Sequence, residues 1–381
     1  MSLLGSGALL LDFDKLNRFA PCEADGAGPF QGGQRLGILE FAGESRTPLD
    51  TVIGAGLDAR LYSDLSTLTP EQLVTPIEKF YVRTAASELL DAANAWEIKV
   101  SGPVERQANL TLDDLKKGAK PMGMHLMECS GNARATRFSL LSVADWTGVP
   151  IADLLDLRVK PRADRVMVMV SGFDQYRIKS AISIPGADWI FTLEHLHSAK
   201  AFLATEMNGE PLTKDHGAPV RLVVPGWYGC ACVKWVNAIT LVDDAVEATS
   251  QMHEFAARTH QQGVPKLIKN YNAATIDQAA MPIRVEKWLV NRKLKYRVVG
   301  ILWGGSRPVK GLEIRFNPQG DYVRVDKFSQ TTNDPWSFWS HAWEPKTPGA
   351  YLIRLRVTDP IVETKRLDSG HYVRSVEVTE V

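Results

Sequence analysis

The chain has 381 residues, of which 45% are hydrophobic and 23% are charged, a composition typical of soluble globular proteins. At about 150 residues per domain, this length predicts two to three domains. The 44 basic side chains balance the 44 acidic ones, so net charge does not favour binding to nucleic acid or to an anionic membrane surface. An anion-binding site must therefore be a local cluster of basic groups.

Residues 1–75 form a predicted N-terminal arm that is rich in glycine and has little hydrophobic periodicity. Within this arm, residues 3–11 resemble the apolar part of an export signal, but no basic segment precedes them and Asp12 follows. Two interpretations stay open. An export-signal remnant predicts a periplasmic protein, whereas an ordinary buried segment leaves a cytoplasmic one.

Residues 76–255 mix strand and helix patterns. The alternation at 96–100 predicts a half-buried strand, and residues 110–115 predict a short helix that begins at the capping residue Thr111. Further along the chain, the patterns predict helices at 151–157 and 193–203 and buried strands at 165–170, 220–225 and 233–242. Because the regular strand–helix alternation of a doubly wound sheet is missing, the pattern predicts an α+β domain.

Residues 256–381 have a different pattern, with short strands separated by glycine and proline turns. The predicted strands lie at 296–303, 312–316, 322–325, 351–357 and 371–378. Such a segment without intervening helices indicates a β-sandwich. Five of the ten tryptophans lie here, and we expect them in its core.

Several common catalytic motifs are missing from the sequence. It has no phosphate-binding P-loop, no G-x-G-x-x-G, no H-E-x-x-H and no G-x-S-x-G. It also lacks the C-x-x-C-H sequence of covalently attached haem. These absences argue against nucleotide hydrolysis, nicotinamide binding, zinc-peptidase and serine-hydrolase chemistry.

The segment around Cys129 is the most informative one. A strand-like run ends at Cys129 and is followed by small, turn-forming residues. Such a turn exposes a thiol and directs backbone N–H groups into a pocket. Arg134 adds positive charge, which lowers the pKa of a thiol and favours the thiolate, a nucleophile and a soft metal ligand. From these residues alone, a small buried structural cysteine is the alternative.

A second segment places His216, Arg221 and Lys234 around glycine-rich turns. Such a set of cationic groups suits a phosphate group. The alternative is a pair of ordinary strands joined by a polar turn. Cys230 and Cys232 have the spacing of a metal-binding pair, but no second pair accompanies them.

Taken together, these segments resemble the sulfite oxidase family of molybdenum-cofactor oxidoreductases, in its bacterial type without a haem domain. Five motifs occur in the order of that family, at residues 80–83, 129–134, 146–151, 208–221 and 225–235. The resemblance covers residues 75–381. It implies a mixed α/β molybdenum-cofactor domain at 76–255, followed by an immunoglobulin-like dimerisation domain at 256–381.

The resemblance also implies roles for individual residues. Cys129 would be the single protein ligand of molybdenum, whose pterin would be held by a set of residues comprising Arg83, Cys129, Asp174, His216, Arg221, Cys232, Val233 and Lys234. Arg83 and Arg134 match the arginines that hold an oxyanion substrate. Two planar guanidinium groups suit such an anion.

The sequence departs from the family pattern at several positions. Thr84 and Ala85 follow Arg83 where the family often has Asn-His, and Ala231 stands where an arginine is usual. Phe255 aligns with the catalytic tyrosine of the family, which places efficient sulfite oxidation in question. Arg258 follows closely, either as a pocket residue or as part of a polar turn.

The resemblance thus predicts an enzyme that oxidises sulfite or a related small sulfur oxyanion by oxygen-atom transfer. Its electrons would pass to an external partner such as a c-type cytochrome, and the chain would form a homodimer. One alternative is a reductase of a sulfoxide or another oxyanion on the same cofactor. Related sulfoxide reductases usually lack the C-terminal sandwich, which favours the first prediction. The other alternative is a non-catalytic pterin-binding protein.

Overall fold

The computed structural model describes residues 30–91, 95–104, 107–158, 166–180, 183, 185, 187–318, 320–328 and 335–381. The export-signal-like stretch at 3–11 lies outside the described residues. Within these ranges, none of the helices has both the length and the apolar character needed to cross a bilayer.

Nineteen strands and five α-helices make up the described part of the chain. The strands are β1 (Gln34–Leu39), β2 (Glu97–Ser101), β3 (Ala108–Thr111), β4 (Lys120–Glu128), β5 (Leu141–Pro150), β6 (Val166–Gly172), β7 (Asp188–Thr192), β8 (Phe202–Met207), β9 (Glu210–Pro211), β10 (Arg221–Val223), β11 (Val236–Asp243), β12 (Ala279–Val290), β13 (Lys293–Trp303), β14 (Leu312–Asn317), β15 (Val323–Arg324), β16 (Lys327–Phe328), β17 (Trp336–Trp343), β18 (Gly349–Val357) and β19 (Arg374–Val378). The helices are α1 (Leu112–Gly118), α2 (Ile151–Arg158), α3 (Leu193–Ser198), α4 (Ser250–Phe255) and α5 (Lys365–Asp368).

The middle of the chain contains two sheets with short helices between their strands. One sheet has the order β10-β8-β5-β4, with β9 paired to β8, and the other has the order β3-β2-β11-β6-β7. Only the β2–β11 pair is parallel among the described pairings of these sheets. This arrangement confirms a mixed α/β architecture without regular β-α-β units.

Local sequence signals account for most of these elements, with one clear failure. Thr111 caps α1 as predicted, because its hydroxyl accepts the N–H of Asp114 while the Asp114 carboxylate accepts the N–H of Thr111. The helix predicted at 193–203 is wrong beyond Ser198. Lys200 has a φ of 52°, which ends the helical path, and Phe202 begins the buried strand β8. A short apolar run fits a buried strand as well as a helix.

The C-terminal part consists of two antiparallel sheets, with the orders β1-β12-β13-β17-β16 and β15-β14-β18-β19. Aromatic rings connect the two sheets. Trp343 of β17 stacks on Phe316 of β14 with a centroid distance of 4.3 Å, and it meets Tyr351 of β18 edge-on at 4.9 Å. The β-rich prediction for this region is confirmed at the level of two packed sheets, and its immunoglobulin-like character stays a prediction.

The predicted N-terminal arm contributes to this C-terminal unit. Strand β1 pairs with β12 along residues 34–39, and Phe41 forms a bridge with Val376. The following segment returns to the middle of the chain, where Leu61 pairs with Val82 just before Arg83. Part of the arm is therefore an edge strand of the C-terminal unit, and the rest supports the candidate site.

Candidate active site

Nine of the eleven predicted site residues converge on one cavity, at the ends of strands from both central sheets. The empty space within it, including the part that is open to solvent, is about 960 Å³. Nine predicted residues line it, namely Arg83, Cys129, Asp174, His216, Arg221, Cys232, Val233, Lys234 and Phe255. The structure therefore brings together segments that lie far apart in the sequence.

Cys129 follows β4 directly, and the turn after it is tightly held. Its thiol is 5% exposed and accepts the Gly131 N–H at 3.4 Å. Asn132 is fully buried, and its side-chain oxygen accepts the N–H of Leu140 at 3.1 Å. These bonds fix the thiol at the wall of the cavity.

The predicted lowering of the Cys129 pKa is wrong for the chain on its own. Burial raises the pKa of this thiol, and the opposing effects of Arg83, the Gly131 N–H and Arg258 are smaller. The positive charge near the sulfur comes from Arg83 and Arg258 rather than from the predicted Arg134, and the motif does not reveal how deeply the sulfur is buried. A bound metal ion changes this balance, because a coordinating thiol is deprotonated.

Arg221 lies deep in the cavity wall and is 4% exposed. Its Nη1 donates to the carbonyl of His216 at 3.0 Å, and its Nη2 donates to the carbonyl of Cys232 at 3.4 Å. Its Nε has no hydrogen-bond partner. Among the described residues, no carboxylate forms an ion pair with Arg221. A buried guanidinium without a counter-ion is costly, and this favours an anionic ligand.

Lys234 provides a second buried positive charge. Its Nζ donates to the backbone carbonyls of Thr84 and Asp215 and lies 4.3 Å from the centre of the Trp235 ring. Burial lowers the pKa of Lys234 to about 7, with further lowering by Arg221 and partial compensation by Asp215. An anion in the cavity would stabilise the charged form of this ammonium group.

His216 contributes to the cavity wall rather than to its charge. Its Nε2 lies 3.0 Å from the carbonyl of Phe80, and its Nδ1 lies 2.8 Å from the hydroxyl of Thr213. The N–H of Nε2 therefore donates to Phe80, and Nδ1 accepts from Thr213. Burial lowers the pKa of His216 to about 4, so the ring is neutral near pH 7.

These observations test whether the cavity suits a pterin-bound molybdenum. The unpartnered Nε of Arg221 and the carbonyl-bound ammonium of Lys234 provide positive charge for a phosphate group. Cys129 supplies a soft sulfur donor at another wall of the same cavity. The donor set fits the group that the resemblance implies.

A second cavity adjoins the first and shares Arg83 with it. Four arginines line this second cavity, namely Arg60, Arg83, Arg258 and Arg366. The Cys129 loop also borders it, through residues 130–133. Arg258 lies near the face of the Phe255 ring, 5.5 Å from its centre. Arg258 was a predicted pocket residue, whereas Arg60 and Arg366 were missed because no motif surrounds them in the sequence.

Arg134 does not line either cavity. Its Nη2 donates to the carbonyl of Val373 at 2.8 Å, on the side of the loop that faces the C-terminal unit. The 3₁₀ turn over residues 134–136 directs the side chain there. The sequence motif shows that Arg134 lies five residues after Cys129. It does not show that this turn points the Arg134 side chain away from the cavities and toward the C-terminal unit.

Phe255 ends α4 and lines the first cavity without a hydroxyl group. Tyr81 also lines this cavity and is 7% exposed, although no sequence motif marks it as a site residue. Burial raises the pKa of Tyr81 well above its ordinary value, so the phenol stays protonated. Tyr81 thus brings a phenol hydroxyl group to the cavity, whereas Phe255, which belongs to a different segment, brings none.

Comparisons with known proteins agree with this geometry. The profile described as "Oxidoreductase molybdopterin binding domain" matches residues 85–250. Mitochondrial sulfite oxidase from Drosophila melanogaster is 29% identical over 49% of this chain and 34% of its own length. An NADPH nitrate reductase from Fusarium oxysporum is 26% identical over 72% of this chain and 36% of its own length.

The chain thus spans about a third of the length of these relatives. Its fold resembles that of the sulfane dehydrogenase SoxCD from Paracoccus pantotrophus, with a TM-score of 0.63 and 17% identity. That alignment covers 88% of this chain and 90% of the other. Residues 85–250 thus match an oxidoreductase domain that binds molybdopterin, and the similarity to sulfite oxidases and nitrate reductases supports a molybdenum-cofactor oxidoreductase of the sulfite oxidase type.

Proposed function

We propose that this protein oxidises a small sulfur oxyanion, sulfite or a close relative, by oxygen-atom transfer. For sulfite, the balanced reaction takes one oxygen from water and releases two protons and two electrons. The observation that carries this proposal is the position of Cys129, which lines a cavity with buried cationic groups, while the loop after it borders a cavity lined by four arginines.

The first cavity would hold the cofactor through two kinds of contact. Cys129 would provide the thiolate ligand of the metal, and Arg221 and Lys234 would bind the phosphate of the pterin. When bound, molybdenum supplies two-electron redox chemistry and oxygen-atom transfer.

The second cavity would hold the substrate. Planar guanidinium groups donate paired hydrogen bonds that match the oxygens of a sulfur oxyanion. Arg83 lines both cavities, so an anion bound to it lies at their junction. Arg258 lies against the Cys129 loop, because its Nη1 would be 3.5 Å from a Cβ placed on Gly131.

Reduction of nitrate or another oxyanion is the second candidate function. The nitrate reductases of Fusarium oxysporum and Ulva prolifera each align with 72% of this chain. Nitrate is a planar oxyanion, and guanidinium groups can bind its oxygens through paired hydrogen bonds as well. The arginine-lined cavity therefore suits both kinds of substrate.

Steady-state assays of the cofactor-loaded protein distinguish these functions. Sulfite and thiosulfate would be offered with an oxidising dye, and nitrate and a sulfoxide with a reducing dye. We expect turnover of sulfite or thiosulfate, and turnover of nitrate alone would replace the proposal with the second candidate. A purified protein that retains no molybdenum would instead support the non-catalytic alternative.

Three further proposals rest on the family resemblance. The electrons would pass to an external redox protein such as a c-type cytochrome. Residues 256–381 would form a two-fold dimer, which light scattering at micromolar concentration tests. The protein would act in the periplasm, which cell fractionation tests.

A further inference from the structure

A buried carboxylate precedes the proposed metal ligand. Glu128 is fully buried at the end of β4, next to Cys129 in the chain. Its Oε2 accepts the indole N–H of Trp303 at 2.9 Å, and its Oε1 accepts the hydroxyl of Tyr372 at 3.0 Å. Trp303 and Tyr372 belong to the C-terminal unit. The carboxylate therefore joins the Cys129 loop to a different part of the chain.

Arg366 strengthens this connection from α5. Its Nη1 lies 3.8 Å from Oε1 of Glu128, and its Nη2 donates to the carbonyl of Ser130 at 2.8 Å. The same Nη2 donates to the carbonyl of Arg258 at 2.7 Å. Although burial opposes the charge of Arg366, Glu128 and Tyr372 hold its pKa above the ordinary value. Arg366 thus touches the loop on the far side of Cys129 from Glu128.

His371 adds a third contact to the same loop. Its Nε2 lies 2.8 Å from the carbonyl of Asn132. Residues 366–372 of the C-terminal unit therefore hold residue 128 by its side chain and residues 130 and 132 by their carbonyls. These contacts surround Cys129 in the sequence, whereas the sulfur itself stays available to the cavity.

We propose that Glu128 is a positioning residue, through which Trp303, Arg366 and Tyr372 fix the Cys129 loop. The C-terminal unit would then set the orientation of the metal ligand, in addition to any role in dimerisation. This proposal rests on the assignment of Cys129 as the molybdenum ligand. Burial of a carboxylate is costly without partners, and here the partners come mainly from the C-terminal unit.

The first test uses the full chain without cofactor. Cys129 is only 5% exposed but lines a cavity that is partly open to solvent, so loosening of its loop should raise the rate at which a small reagent alkylates the sulfur. Mass spectrometry of the Cys129 peptide follows this reaction separately from the other cysteines. We expect Tyr372→Phe to raise the alkylation rate about tenfold, because it removes a hydrogen bond to a charged group. Glu128→Gln should raise the rate as well, since Arg366 loses its ionic partner.

Tyr351→Phe is the matched control. Tyr351 lies in the same C-terminal unit, is 2% exposed like Tyr372, and donates its hydroxyl to the carbonyl of Thr347 at 2.7 Å. The control therefore removes a tyrosine hydroxyl and its hydrogen bond from the same unit, at a place that does not contact the Cys129 loop. We expect it to lower the unfolding midpoint without changing the alkylation of Cys129.

The second test uses the cofactor-loaded protein. If the loop orients the thiolate, Tyr372→Phe should change the electron paramagnetic resonance spectrum of Mo(V) and lower kcat more than it changes KM. Tyr351→Phe should leave the spectrum at its wild-type shape. Unchanged alkylation and an unchanged spectrum in Tyr372→Phe would overturn the proposal, and so would an equal rise in alkylation in Tyr351→Phe. Because alkylation needs no molybdenum, this result is separate from the test of the proposed function.

Discussion

The protonation of Lys234 should reveal whether the cavity holds an anion. In the folded chain without cofactor, burial and then Arg221 lower the pKa of this ammonium group to about 7. In an unfolded chain, a lysine titrates near 10.4. Between these two values the unfolded state binds more protons than the folded state. The free energy of unfolding should therefore rise as the pH increases through this range.

The size of this effect follows from the two pKa values. Below about pH 7 both states carry the proton, and the unfavourable contribution of the buried charge is then almost fully present. Between about pH 7 and pH 9, the linkage relation gives a rise of about 2 kcal/mol from Lys234 alone. A bound phosphate near the ammonium group would raise the pKa of Lys234 again. The rise should then largely disappear in the cofactor-loaded protein.

Urea unfolding at these two pH values measures the effect in the wild-type protein and in Lys234→Met, both without cofactor. Subtracting the variant removes the contribution of all other titrating groups. An equal pH dependence in the two proteins would refute the buried, charge-destabilised state of Lys234. A loaded protein that keeps the pH dependence of the unloaded one would show that the anion binds elsewhere.

Four further outcomes test the site and the proposed electron transfer. Cys129→Ser should abolish redox turnover while leaving the circular dichroism spectrum intact, and a fully active variant would exclude Cys129 as the metal ligand. Arg83→Met and Arg258→Met should each raise KM for the anionic substrate about 10- to 150-fold, through loss of a charge-assisted hydrogen bond. Arg134→Met should leave KM unchanged, because its guanidinium binds the Val373 carbonyl; a large rise would contradict this placement. Activity with a redox-protein partner should fall as ionic strength rises while dye-linked activity changes little, and a salt-independent rate would argue against an electrostatically guided encounter.

Local sequence patterns predict the fold well where one signal dominates. The Thr111 cap and the alternation of β18 are examples, because a helix cap and a half-buried strand each leave a distinct pattern. The sequence at 193–203 does not distinguish a helix from a strand. The start of β8 within it is buried and apolar on both faces, so it lacks the alternation of a half-buried strand. The partnership of β1 with β12 was not predictable either, because it depends on tertiary contacts across most of the chain.

The candidate site shows the same division between local and long-range information. Motifs located the Cys129 loop and the basic residues of 216–235, because turns at strand ends keep their side chains close to one another. Arg60 and Arg366 enter the second cavity from remote segments without a surrounding motif. The direction of Arg134 was mispredicted for a related reason, since it depends on a carbonyl of the C-terminal unit.

The distribution of charge connects these findings to function. The whole chain has no net formal charge, yet four arginines line the second cavity, and one of them, Arg366, lies beside the fully buried carboxylate of Glu128. Arg366 is committed to Glu128 and to the loop carbonyls, so it holds the loop more than it can hold an anion. Arg83 and Arg258 are the cations that remain available next to the Cys129 sulfur, since both influence its pKa. The candidate site would therefore separate two uses of arginine, one that positions the proposed metal ligand and one that attracts the proposed substrate.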